Sequence, residues 1–153
     1  MPKRVVDGDA LWSSSKVRRL PREYRLHYAN WIPLAEANGA FEIDLDAIRG
    51  KVYIACLDAD MTSEEVFYIL REFISVGLLR VWKEDNKVWG YFNGIEKSGR
   101  LPGEASLKRN KHLPPSPPIE DAPLDEMFAI INPLFPKGCT MVPRPPQNFT
   151  DTQ

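Results

Sequence analysis

The chain is short of the features that narrow a protein's chemistry fastest. Its two cysteines, Cys56 and Cys139, stand far apart with no partner motif. A disulfide scaffold is not expected, and a reducing cytoplasm is the default compartment. No secretory pattern opens the sequence, and no apolar run approaches the ~20 residues that span a bilayer, so no membrane partner is expected. Positive charge is not in excess either: 20 Lys and Arg face 21 Asp and Glu, for a net of −1. A nucleic-acid argument must therefore rest on local patches. The two histidines, His27 and His112, are accompanied by no cysteine, serine or carboxylate motif, and no enzymatic activity is expected. Two Asp-x-Asp pairs, Asp44/Asp46 and Asp58/Asp60, sit where helices begin or chains turn. Aspartate is favoured there for capping, and no set of four convergent ligands can be assembled. No metal and no cofactor are expected.

What is present suffices for one ordinary core: 43% hydrophobic and 10% aromatic residues over 153 positions. The unusual quantity is proline, fourteen in all, most of them at or beyond Pro114. Composition divides the chain into an arm (1–9), a folded domain (10–95), a basic and proline-rich extension (96–118) and a proline-rich tail with a short amphipathic helix (119–153).

The domain is organised around residues 62–93. Thr62 with Glu65 three places on is a capping-box pattern. Val66, Leu70, Phe73 and Ile74 fall on one 3.6-residue stripe, and Gly77 supplies the stop. Leu79 and Val81 then alternate with Arg80 and Trp82, and Val88, Gly90 and Phe92 with Trp89 and Tyr91. With Asp85-Asn86 between them, the two runs predict an antiparallel hairpin.

Upstream, 16–20 predicts a short helix and 22–38 a longer one starting behind Pro21. Its face is Tyr24, Tyr28, Trp31 and Ala35, with Pro33 expected to kink it or start a new turn. A brief strand at 40–43 follows, then a helix capped by Asp44 or Asp46 with Leu45, Ile48 and Val52 on one face and Cys56 a turn later. The order helix, strand, helix, helix, strand, strand predicts a mainly helical α+β fold, a winged helix-turn-helix.

Residues 10–118 also resemble a family in the order of their marks: Trp12; Lys16 and Leu20; Arg25, Ala35 and Gly39; Gly77-Leu78-Leu79; the Asp85-Asn86 turn; and Lys108 to Pro118. The chain is similar in this to phage-type and prophage replication initiation proteins, the replisome organisers, some of them DnaD-like, with an N-terminal winged helix. The resemblance implies a non-enzymatic DNA-binding module of replication initiation, with DNA and replication proteins as partners.

Charge geography decides where such a module would hold DNA. The second helix of a helix-turn-helix ordinarily enters the major groove. Here its non-core residues are Glu64, Glu65, Tyr68, Arg71, Glu72 and Ser75, and carboxylates facing phosphates repel. From Glu36 to Glu65 eight acids face only Arg49 and Lys51. Cations gather elsewhere: Lys16, Arg18, Arg19, Arg22 and Arg25 against Glu23, and Lys97, Arg100, Lys108, Arg109 and Lys111 against Glu104. Arg18, Arg19, Arg22, Arg25, Arg100, Lys108, Arg109 and Lys111 are the candidate phosphate contacts. The alternative is that both stretches are solvated surface, and that the domain contacts a protein through its acidic helices and tail. Leu124, Met127, Phe128 and Ile131 are spaced as about two turns of amphipathic helix. They are candidate partner-binding residues, unless the segment folds back on its own domain, which tethering favours. Trp82 and Trp89 are read as hairpin packing before base stacking.

Overall fold

Local chemistry starts and stops the main elements where it can satisfy backbone groups. In the computed structural model, which describes residues 15–95 and 113–144, the longest helix is α4, Ser63–Ser75. Thr62 caps it, its side-chain oxygen accepting from Glu65 N–H at 3.1 Å. Gly77 ends it with φ +82°. The strands β2 (Leu79–Glu84) and β3 (Lys87–Phe92) follow as an antiparallel hairpin. Its turn residues Asp85 and Asn86 have φ 54° and 62°. Two successive positive values match the right-handed twist of the flanking strands, and short polar side chains tolerate them best.

Ahead of this lie α1 (Ser15–Arg19), α2 (Arg25–Trp31), β1 (Ala40–Glu42) and α3 (Leu45–Ile48). Asp44 caps α3, accepting from the N–H groups of Asp46 and Ala47. The tail adds α5, Leu124–Ile131. Among the described residues the fold is thus α+β, with five α-helices and one antiparallel sheet in the order β1-β3-β2. The register pairs Phe41 with Gly90 and Val81 with Gly90, so Gly90 lies mid-sheet. A Cβ there would sit 2.7 Å from Ile43 Cδ1 and 3.2 Å from Phe41 Cζ. Glycine is what lets those two core side chains cross the strand.

Two stretches depart from the periodicity. The long helix at 22–38 is broken into a 3-10 turn (Arg22–Tyr24), α2, and a second 3-10 turn (Ile32–Leu34) containing Pro33. Proline has no N–H to continue the α ladder, so the chain tightens and turns out. After α3 the coil widens to π winding over Arg49–Leu57. A 3.6-residue spacing places Val52 on the core face; wider winding stacks residue i+5 over i, and it is Tyr53 that follows Ile48 inward. Both are buried, whereas Val52 is half-buried.

The core gathers Leu20, Trp31, Phe67, Phe73, Leu79 and Phe92 between the helices and the inner sheet face. Phe92 takes edge contacts from Tyr28 and Phe73 and stacks on Phe41. The tail joins this core. Of the four residues read as a partner-binding stripe, Met127 and Ile131 are buried in it, Phe128 packs against it half-buried, and Leu124 remains 45% exposed. The segment has folded back on its own domain, with α5 packed against β2 and α4. Each buried side chain of this size contributes about 1.5–3 kcal/mol relative to exposure, so Met127 and Ile131 are not available to a partner while the tail is docked. No helix among the described residues is long and apolar enough to cross a membrane.

Candidate functional site

Two surfaces meet at α4, one basic and one acidic, and they are built differently. The basic one starts from α1. Arg18 and Arg22 are exposed, and Arg19 is half-buried. Arg25, also exposed, bonds back to the chain: its Nε donates to Leu20 O at 3.0 Å and its Nη2 to Arg18 O at 2.9 Å. These carbonyls close the end of α1, where the helix leaves acceptors without intrahelical partners. Arg25 therefore holds α1 onto α2, and Arg18, Arg19 and Arg22 form the outer row.

Lys16 links this row to the far end of α4. Its stem lies over Gly77, such that a Cβ built there would be 3.8 Å from Lys16 Cε. The ammonium is thereby brought to the carbonyl end of α4, where a cation is favoured. Gly77 O in turn accepts from Asn93 Nδ2 at 2.8 Å, and Asn93 N–H donates to Leu78 O. Asn93 lies two residues before Ile95, the last described residue ahead of the second basic stretch. Arg100, Lys108, Arg109 and Lys111 lie outside the described residues.

The acidic surface is the outward side of α4. Glu64 and Glu65 occupy its first turn, suited to the positive end of the helix dipole. Further along, the side chains are covered by the tail. Phe135 packs edge-on against Phe67 at 5.0 Å and lies 5.9 Å from the Tyr68 ring. The Tyr68 hydroxyl accepts from Val142 N–H at 2.9 Å. Arg71, its guanidinium 4.7 Å over the Tyr68 ring, donates to Val142 O at 2.8 Å. Arg144 grips both oxygens of Glu72, through Nε at 3.1 Å and Nη2 at 3.0 Å. Glu72, which helical periodicity places outward, is 5% exposed as a result of this cover and its helix neighbours. Its charge and local burial together hold the nearby Tyr24 hydroxyl above its ordinary pKa, with burial the larger cause.

Two other groups complete the neighbourhood. Arg80 ties the tail to β2: it donates to Pro118 O and to Asn93 Oδ1, and pairs with Asp121 at 3.1 Å. Within the core, Trp31 Nε1 donates to the Tyr53 hydroxyl at 2.7 Å, which lies 2.8 Å from His27 Nδ1. Indole can only donate, so the Tyr53 oxygen accepts from Trp31. The imidazole tautomer sets which of the Tyr53 hydroxyl and His27 Nδ1 donates in the second bond. Burial pushes the Tyr53 hydroxyl up to about 12, the Trp31 hydrogen bond pulling the other way and the Asp58 charge adding to the rise. Burial also lowers the His27 pKa, against the opposing pull of Asp58 and Glu65.

Among the acids considered for a metal, Asp44 caps α3, Asp46 accepts from Ser63 Oγ at 2.6 Å, and Asp58 accepts from Asp60 N–H. Trp82 and Trp89 face each other across the hairpin, and Trp89 Nε1 donates to Glu84 O at 3.2 Å. The tail contacts of Arg71, Glu72 and Arg80 are functional geometry that sequence reasoning missed. The one signal was the i, i+3, i+4 spacing of Tyr68, Arg71 and Glu72 on a single helix face; nothing local marked Arg144. Compared with family models, with curated proteins and with solved structures, the chain finds no match.

Proposed function

We propose that the chain is a winged-helix module that holds DNA by its phosphates along a basic edge, as in the phage-type replication initiation proteins its sequence resembles. The element order helix-strand-helix-helix-strand-strand and the sheet order β1-β3-β2 support the winged-helix frame. The observation that carries the DNA reading is the junction at Gly77. Lys16 of the first basic stretch lies against it, and Asn93, just ahead of the second, bonds to its carbonyl. Lys16 and the chain that leads into the second stretch thus meet at Gly77, and cations that gather on one side bind a polyanion that scattered ones do not. Arg18, Arg19, Arg22 and Arg25 supply one set of phosphate contacts; Arg100, Lys108, Arg109 and Lys111 supply the other. The helix α4 does not read bases in this proposal, since its outward face is acidic and its second half lies under the tail.

A gel shift against duplex and single-stranded DNA over a range of salt tests it. Binding that weakens steeply with salt and is abolished by Lys108/Arg109/Lys111→Glu supports the reading. The absence of any shift at low salt ends it.

One observation favours a second reading, a protein-interaction winged helix without DNA binding. The helix α5 lies against both α4 and β2, the two elements a conventional winged helix presents to DNA. The same gel shift separates the two.

A further inference from the structure

We infer that the second half of the α4 face is a receptor for an extended, arginine-bearing peptide. Residues 141–144 of this chain fill it in cis, and a segment of the same chemistry from a partner protein takes their place. The inference rests on the tail contacts alone and does not require that DNA be bound.

The geometry is that of peptide recognition. Both main-chain groups of one residue, Val142, are read by side chains: its N–H by the Tyr68 hydroxyl and its C=O by Arg71. Such contacts accept any extended backbone and leave specificity to side-chain pockets. Here the pocket is Glu72, whose two oxygens take the two parallel donors of a guanidinium. That fork geometry suits arginine and is not reproduced by lysine.

Apart from these contacts the resident segment is held by Met141, which packs half-buried against the core. Val142 is 58% exposed, and Cys139 and Thr140 before it are exposed. The segment's departure uncovers the apolar surface under Met141, and it strips the counterion from a carboxylate at the wall of the domain. An incoming guanidinium restores that pair, so exchange of one arginine segment for another is far easier than vacancy. Glu64 and Glu65, further up the same helix, add attraction for a basic peptide. A peptide with proline directly before and after its arginine, as Pro143 and Pro145 flank Arg144 in sequence, has fewer conformations to lose on binding, which lowers the ordering cost.

The probe is a fluorescent synthetic peptide of residues 138–147 with serine in place of cysteine, titrated into the full chain by anisotropy. In the unaltered chain the tethered segment competes at high effective concentration. Arg144→Ala in the full chain weakens that competitor and is expected to raise the affinity for the probe about tenfold or more. Val142→Pro, which removes the N–H given to Tyr68, loosens the tail by a different contact and should raise it too. Adding Glu72→Gln to Arg144→Ala, or replacing the probe's arginine by citrulline, should return binding to the level of the unaltered chain. Equal probe binding to the unaltered, Arg144→Ala and Val142→Pro chains, each folded by circular dichroism, would overturn the inference. So would tight binding that ignores Glu72 and the probe's arginine. A dimer of the unaltered chain that Arg144→Ala dissolves would give the site to a second copy of this chain, and would overturn its assignment to a different protein.

Discussion

The cations along α1 and the charges along α4 are answered in opposite ways. Beside α1, Arg25 at the start of α2 bonds to backbone carbonyls five and seven residues away, and Arg18, Arg22 and Arg25 are all exposed. On the second half of α4, Arg71 and Glu72 bond to Val142 and Arg144, partners 71 and 72 residues distant. The first region is thus held by contacts close in sequence, with Arg18 and Arg22 at the surface. The second is closed by the chain itself. The helix that the proposed winged-helix frame would send into a groove is therefore the one covered by the tail, whereas Arg18 and Arg22 stand exposed. Under the proposed function, the binding face follows where positive charge is exposed and not the position of a helix within the fold.

The strongest way to break this contrast is to remove what docks the tail. Ile131 is fully buried, and Ile131→Ala is expected to destabilise the domain by about 2–5 kcal/mol in a urea melt, through lost burial and the cavity left behind. A change under 0.5 kcal/mol would mean that α5 is not part of the core, and that the α4 face stands open.

Next in size is a change at the open edge. Arg18/Arg19/Arg22→Gln is expected to weaken DNA binding about 10- to 100-fold, and to lower the slope of log affinity against log salt by up to ~3 for duplex. The melt should move by no more than about 0.5 kcal/mol. An unchanged salt slope would leave the row on α1 as solvated surface.

Legibility in the sequence follows the range of the interaction. The hairpin, the Asp85-Asn86 turn, the Thr62 cap and the Gly77 stop were all readable, because each is decided by residues within a few places of one another. The winding after α3 was not, since the 3.6-residue template assumes the coil that Arg49–Leu57 abandons, and so it selects Val52 where Tyr53 is buried. The fold-back of α5 was half readable: Leu124, Met127, Phe128 and Ile131 gave the amphipathic face but not what it covers. The Glu72–Arg144 pair was invisible. Glu72 shares a helix face with Tyr68 and Arg71, but nothing local marks Arg144, and only the path of the whole chain brings the two together. The same holds for Arg80, an ordinary outward strand residue until Pro118 and Asp121 arrive beside it.

A smaller effect sharpens the picture of α4 at its other end. Thr62→Ala removes the acceptor for Glu65 N–H and is expected to cost about 1 kcal/mol by thermal melt. Glu64 and Glu65 belong to the first turn that this cap orders. If the loss is near zero, water replaces the threonine oxygen there, and that acidic end is looser than the end held by Arg144.

The smallest effect concerns the histidine between the two regions. His27, on α2, is hydrogen-bonded through Nδ1 to the Tyr53 hydroxyl in the folded protein, and burial holds its pKa below the ordinary 6.5. Protonation would charge a half-buried ring. The unfolded chain therefore binds this proton more readily than the folded one. The group's contribution to stability is complete above pH 6.5 and declines as pH falls from there toward the lowered folded value. One proton cannot give a slope above ~1.4 kcal/mol per pH unit. The Asp58 and Glu65 charges oppose the burial, so a fraction of that slope is expected. Urea melts between pH 7.5 and 5 should show it, and His27→Gln should flatten that part of the profile. A slope that survives the substitution would place the titrating group elsewhere. A rise in stability on acidification would mean that the acidic side outweighs burial even at His27, and that the pull of these carboxylates extends well beyond α4.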